Sequence, residues 1–376
     1  MTLVFTLYKY FPFGGLQKDM LAIAKECVVR GHQVSIFCRS WSGDYPENIH
    51  INILPVKALS NHGKNSKFAK QLRHCMQKLK PDLVVAFNKI PGADVYYAAD
   101  TCFKAKLYRE RPWVYRLLPR YRQYVRDEAT LFGQNADTHI LAISKSAIDE
   151  YRDYYQTTVD RFTLLPPGIS REHINNQRER LDVIHRELGL TADKQIVLMV
   201  GSGFRTKGLD RAIAALASLP ANTRNNTHLV VVGQDNPEVF IQQATDSSIA
   251  TQLYFLGGRK DVPLLLRSAD VLIHPAYREN TGTALLEAAV AGLPVITTDV
   301  CGYAHYIADN DLGVVLPSPF DQEALNKTLL IALMDTDKNK QWRNNCYAFA
   351  QGADIYSLPQ KAVDAIEAFA KKSRRL

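Results

Sequence analysis

Short apolar runs alternate with longer amphipathic stretches along the chain. In the first half, runs at 3–7, 33–38, 51–56, 83–87, 95–99, 140–143 and 162–165 predict strands. Helical spacing of apolar positions predicts helices over 16–30, 68–80, 115–132 and 145–155. Gly31 is placed to end the first of these, and Ser144 to cap the last. The second half repeats the pattern more cleanly. Strands are predicted at 196–200, 229–232, 253–255, 271–273, 295–297 and 313–316, with helices at 209–219, 237–250, 262–268, 283–291 and 321–334. Strand runs without polar alternation are buried on both faces, as in parallel sheets covered by helices. The pattern therefore predicts two doubly wound α/β domains.

Leu164-Leu165-Pro166-Pro167-Gly168-Ile169 interrupts regular structure between the two series and marks a hinge. The predicted organisation is 1–166, an N-terminal Rossmann-like domain, and 167–355, a C-terminal one. A helix within 356–376 is expected to pack back on the first domain. Polar residues 171–186 read as the opening helix and loop of the second domain, and 371–375 as a basic tail. No apolar run reaches the ~18 residues of a bilayer span, and the strand-like stretch at 2–8, with no basic and long apolar segment before it, leads to the expectation of no export signal. The apolar share of 46% and charged share of 22% exclude a disordered chain. Six cysteines show no CxxC pair or zinc spacing, so free buried thiols in a reducing cytosol are expected.

Charge changes the picture in the first half. Residues 1–165 carry 24 basic and 15 acidic side chains, so the net excess of +8 for the whole chain arises there. Its densest part holds Lys104, Lys106, Arg109, Arg111, Arg116, Arg120, Arg122 and Arg126 against Glu110. Phe103, Tyr108, Trp113, Tyr115, Tyr121 and Tyr124 interleave with them. Such a segment suits nucleic acid, an anionic membrane surface, or plain solvation as a basic helix. No RNA-binding signature accompanies it, which favours the membrane.

Ligands of open α/β sheets bind beyond the carboxyl ends of strands, so the loops there matter most. Gly14-Gly15 ends the loop after the first strand, where backbone amides at a helix start can approach a phosphate. Gly201–Gly208 (GSGFRTKG) places Arg205 and Lys207 at a second helix entrance, which suits a diphosphate. It is neither a Walker loop nor GxGxxG, since Thr206 stands at the third glycine position. In 275–287, Glu279 lies in a loop and Glu287 over one turn into the following helix. The amides of Thr281, Gly282 and Thr283 would face an anion between them, and the carboxylates suit sugar or ribose hydroxyls.

The Glu-x7-Glu element, the Gly-Gly entry loop, the Lys-Gly start and the PPGI hinge resemble the retaining glycosyltransferases of family 4. More narrowly, YKYFPFGGLQ, AFNKIPGADVYYAAD, LPPGI, VVGQD, HPAY and VCGYAHYIAD are similar to the bacterial lipopolysaccharide-core α-1,3-glucosyltransferases. The resemblance runs essentially end to end. It implies a GT-B fold, two Rossmann-like parallel-sheet domains facing across a cleft, and no metal or other cofactor. It implies UDP-glucose as donor, with Lys207 on the diphosphate, Glu279 on the sugar hydroxyls, Glu287 on the ribose and Gly14 and Gly15 over the diphosphate. Ser202 stands where the family usually has an arginine, and Arg205 is the candidate substitute. Arg259 falls where the family contacts the uracil, and 300–307 near the donor sugar.

The resemblance also gives 1–166 to acceptor and membrane and 167–355 to the nucleotide sugar, and the implied acceptor is a heptosylated lipid A core. Asp100, with Asn88 and Lys89, is placed to meet its hydroxyl and phosphates, which makes Asp100, Glu279 and Lys207 the candidate catalytic set. Anionic inner-membrane lipids would be met by the 104–126 segment, on the cytoplasmic face of the membrane, with no nucleic acid involved. Rival expectations are another GT-B hexosyltransferase, a UDP-sugar epimerase of the same fold, and a non-catalytic membrane or nucleic-acid-binding protein.

Overall fold

The computed structural model describes residues 1–12, 14–174 and 178–373. Phe13 of the first glycine loop, 175–177 of the predicted opening segment, and Arg374 and Arg375 of the basic tail lie outside the described residues. The chain divides into two compact units, Met1–Gly168 with Ile355–Leu376, and Ile169–Asp354.

The first unit is built on seven parallel strands, in the spatial order Ile49–Ile53, Gln33–Cys38, Thr2–Thr6, Leu83–Ala86, Val95–Ala98, His139–Ala142, Phe162–Leu164. Its central strands are fully apolar and buried, which is why their sequence shows no alternation. The helix Leu358–Ser373 belongs to this unit. Its Leu358, Ala362, Val363, Ile366 and Ala370 join the core around Leu3, Phe5 and Met20. Arg30 to Asp364 at 2.7 Å and His32 to Glu367 at 2.9 Å tie it to the helix Gly15–Val29 and the turn that follows.

The second unit holds six parallel strands in the order Leu253–Gly257, Thr227–Val232, Gln195–Val200, Val271–His274, Val295–Thr298, Gly313–Leu316. Numbered along the chain, its strands lie 3-2-1-4-5-6, and the first sheet has the same order with one strand more. In each, the winding reverses between the first and fourth strands. The crevices are therefore beyond Thr6 and Ala86 in one unit, and beyond Val200 and His274 in the other.

Three helices depart from the expectation. The stretch 115–132 is broken: Trp113–Leu117 is a 3-10 turn, and the α-helix starts at Pro119. Proline forces Leu118 into the extended region (ψ 134°) and then serves as the first helical residue. The helix expected from residue 68 starts at Asn61, capped by Ser60, whose hydroxyl accepts from the Gly63 amide at 3.2 Å. The helix expected over 237–250 stops at Asp246, and Ser248 at φ +56° turns the chain away. The edge strand predicted at 51–56 forms at Ile49–Ile53, short of Pro55. Ser144 does occupy an N-cap position, but its hydroxyl bonds Ser146 rather than a helix amide. The six cysteines are free thiols, all buried except the half-buried Cys75. Among the described residues no helix is long and apolar enough to cross a membrane.

Candidate active site

In the second unit, Gln195–Val200 delivers the loop with Arg205 and Lys207, and Val271–His274 delivers the loop with Glu279. The two interlock. Gly208 has φ +80°, and a Cβ there would lie 2.1 Å from the Pro275 carbonyl oxygen. The Tyr277 amide donates to the Thr206 carbonyl at 2.9 Å. Arg211, on the helix Leu209–Ala217, donates to the carbonyls of Pro275 and Ala276 at 3.0 and 3.1 Å. The 300–307 stretch docks on the same loop: the Tyr303 amide donates to the Thr281 carbonyl at 2.8 Å. A Cβ on Gly302 would sit 2.0 Å from the Asn280 carbonyl oxygen, so only glycine permits that approach.

This frame brings Lys207 and Glu279 together as an ion pair, Nζ on Oε2, with both side chains mostly shielded. The helix Thr283–Val290 starts behind Gly282 (φ +82°), which leaves its first amides without a side-chain cap. Glu287 lies on that helix, 3.8 Å from the His173 Nε2. Arg205 is exposed at the loop surface, and the Ser202 hydroxyl accepts from the Gln234 amide at 3.0 Å. The Arg259 guanidinium is held by both carboxylate oxygens of Asp261, at 2.8 Å each, and by Glu187 at 2.6 Å.

His274 escaped the sequence reading, although it is the polar residue that ends an apolar strand. Its Nε2 is 3.4 Å from Glu279 Oε2. Burial, reinforced by the Lys207 charge, pushes its imidazole down to about 3. An unfolded histidine binds its proton near 6.5. Between these values the unfolded chain therefore holds one more proton at this position. His274 is predicted to cost the folded unit stability as the pH falls below about 6.5, at roughly 1.4 kcal/mol per pH unit until about pH 3. Urea unfolding of wild type and His274→Gln across pH 4–7 reads this directly. Parallel pH profiles would contradict it.

In the first unit, Asn88, Lys89, Asp100 and Lys106 line one cavity of about 270 Å³, with Tyr8 and Asp127. Asn88 Oδ1 accepts from the Tyr8 amide at 2.7 Å, which ties the ends of the two central strands together. Lys89 is fixed by Glu128 Oε1 at 2.6 Å and the Thr101 carbonyl at 2.9 Å. Glu128 is fully buried and also accepts from the amides of Phe103 and Lys104 and the Tyr155 hydroxyl, at 2.7, 2.9 and 2.7 Å. Asp100 is exposed at the rim, just past the strand Val95–Ala98. Burial raises the Asp127 carboxyl, opposed by Gln123 and Arg126. Gly14 and Gly15 start the helix Gly15–Val29 with no side-chain cap.

The basic segment is split in its use. Lys104 turns inward, its Nζ on the Tyr154 carbonyl at 2.9 Å, and Arg109 pairs with Glu150. Arg111, Arg116, Arg120, Arg122 and Arg126 stay exposed, with Arg116 stacked 3.7 Å over Tyr108. Beside them Trp113, Val114, Leu117 and Leu118 present exposed apolar side chains on one 3-10 turn and the residue after it. Among the described residues, no three His, Cys, Asp or Glu side chains gather as a metal site.

Two family models match the chain: Glycosyltransferase Family 4 over residues 13–173, and Glycosyl transferases group 1 over 182–349. With the two parallel Rossmann-like sheets, these matches define the class, GT-B glycosyltransferases. The lipopolysaccharide glucosyltransferase WaaG of Escherichia coli (strain K12) is 44% identical over 97% of this chain and 98% of its own. A crystal structure of WaaG, described as a glycosyltransferase involved in lipopolysaccharide biosynthesis, superposes with a TM-score of 0.91 at 43% identity, covering 97% and 99% of the two chains. Anabaena Alr3699/HepE, solved in complex with UDP-glucose, shares the fold at a TM-score of 0.76 and 18% identity, covering 98% and 100%. The chain belongs to the glycosyltransferase family of WaaG.

Proposed function

We propose that this enzyme transfers glucose from UDP-glucose to an inner-core heptose of lipopolysaccharide, forming an α-1,3 linkage with retention. The observation that carries the reading is the pairing of Lys207 with Glu279 at the switch point of the second sheet. It occurs in a chain 44% identical to a lipopolysaccharide glucosyltransferase over nearly its full length. In this reading the diphosphate takes Lys207 away from Glu279. The ammonium and the amides around Thr281, Gly282 and Thr283 stabilise the charge that grows as the C1–phosphate bond breaks. Glu279, released, accepts hydrogen bonds from the sugar hydroxyls, and Glu287 holds the ribose. Arg205, exposed and at the loop's edge, adds a second cation to the phosphates.

Retaining glycosidases place a carboxylate beneath the anomeric carbon. No residue of this chain is assigned that part. The acceptor oxygen attacks from the face the phosphate leaves, and its proton passes to the departing phosphate oxygen. Asp100 orients that hydroxyl, while Asn88, Lys89 and Lys106 meet the acceptor's phosphates in the first-unit cavity. The reaction needs no metal, so excess chelator should leave turnover unchanged. Mass analysis of heptose-terminated core incubated with UDP-glucose or UDP-galactose tests the whole assignment. A mass gain of one hexose with UDP-glucose is expected, and a gain with UDP-galactose alone would refute the donor.

The exposed Trp113, Val114, Leu117 and Leu118, ringed by Arg111, Arg116, Arg120 and Arg122, form the face that meets anionic lipid on the cytoplasmic side of the inner membrane. Basic residues near such a surface contribute about 1 kcal/mol each. Co-sedimentation with phosphatidylglycerol vesicles should be strong at low salt, weaken at high salt, and drop in Trp113→Ala. Equal binding to neutral vesicles would argue against this face.

A further inference from the structure

At the amino end of the second sheet lies a cavity of about 240 Å³ that the transfer reaction does not use. Asp270, which lines it, immediately precedes the strand Val271–His274, whose other end carries the Glu279 loop. The two places are thus separated by a strand of four residues, on the order of 13 Å. Four arginines line the cavity, Arg178, Arg180, Arg267 and Arg343, against two carboxylates, Glu179 and Asp270.

Their roles differ. Arg343 is a staple: its guanidinium donates to the carbonyls of Ala269, Asp270 and Gly292 and to Asn339 Oδ1, at 2.9–3.2 Å. Arg180 is bound to Asp270 at 2.8 Å, and that carboxylate also accepts from the Ile196 amide at 2.7 Å. Arg267 is unlike both. Its Nε and Nη2 are buried and have no hydrogen-bond partner among the described residues. A buried guanidinium N–H without an acceptor is costly, so an acceptor that reached these two would be strongly favoured. Arg178, stacked 5.0 Å from the Tyr347 ring, supplies a second fork at the same opening.

We propose that this cavity binds a phosphate-bearing anion from solution, held between Arg267 and Arg178. Two guanidinium forks match the tetrahedral oxygens of a phosphate, and the surplus of cations over carboxylates favours a dianion. The site is separate from the donor diphosphate site, so both fill at once.

Titration of the full-length protein with inorganic phosphate, at constant ionic strength and with UDP saturating, tests this. Saturable binding is expected, with a phosphate-dependent rise in unfolding temperature. Arg267→Gln and Arg178→Gln should each weaken phosphate at least tenfold while leaving UDP affinity and turnover unchanged. Phosphate affinity equal to wild type in Arg267→Gln, absence of saturable binding, or complete displacement by UDP would overturn the proposal. A parallel arm uses phosphatidylglycerol vesicles. Equal sedimentation of wild type and Arg267→Gln is expected. Loss of sedimentation in the variant would assign the cavity to a lipid headgroup and overturn the solution ligand.

Discussion

Lys207→Ala is expected to lower kcat by about 10²–10³-fold while the protein remains folded, because a donor aimed at developing charge in a shielded site is worth that much. The interlocked loops make the prediction specific. Lys207 is held at the switch point by contacts that do not involve its ammonium: the Gly208–Pro275 approach, the Tyr277 amide and the Arg211 fork. Truncation therefore removes the charge without removing the frame. It also frees Glu279, so part of the loss should fall on KM for UDP-glucose. Turnover within threefold of wild type, with unchanged KM, would remove Lys207 from the reaction.

The second large effect is on stability. Glu128→Ala is expected to destabilise the first unit by about 3–5 kcal/mol, the usual cost of leaving a paired buried charge without its partner. For a unit of this size that corresponds to a fall in Tm of roughly 10 °C. One carboxylate holds the Lys89 ammonium, two amides at the start of the helix Phe103–Glu110, and the Tyr155 hydroxyl. Losing it releases the wall of the cavity that carries Lys89 and Lys106. Glu128→Gln keeps an acceptor but not the charge, and should fall between. A change of less than 1 kcal/mol by denaturant unfolding in the alanine variant would show that the network carries little.

Much of the fold was legible because the inner strands are almost wholly apolar. Runs such as Leu83–Ala86 and Val271–His274 admit few readings once helices are seen to separate them. Helices were harder. Phe103–Glu110 is hard to read because two lysines and one arginine hide a stripe of only two buried residues, Ala105 and Leu107. Thr336–Gly352 is hard to read too, since Trp342, Cys346, Phe349 and Ala350 are its only buried positions in 17 residues. The broken 115–132 stretch turned on a single proline. Local chemistry of that kind is in the sequence, but a sparse apolar pattern outweighed it.

The site divides along the same line. Lys207 and Glu279 could be found because each lies in a loop following a strand, and open α/β sheets place their ligands there. The partnership of Glu128 with Lys89 could not, since residues 39 positions apart meet only through tertiary packing. Helical spacing did carry a hint: Glu128 is three and four residues before the buried Leu131 and Phe132, on the inward stripe. The basic segment taught the opposite lesson. Charge counting treats Lys104 and Arg111 alike, yet one is bonded inward to a carbonyl and the other faces solvent.

A crystal of the enzyme soaked with UDP, without added metal, tests the account most directly. The diphosphate should lie within hydrogen-bond reach of Lys207 Nζ and the amides at the start of Thr283–Val290, with ribose hydroxyls on Glu287 and Glu279 no longer paired to Lys207. UDP density away from the Gly201–Gly208 loop, or Lys207 still bound to Glu279 with the nucleotide present, would contradict it.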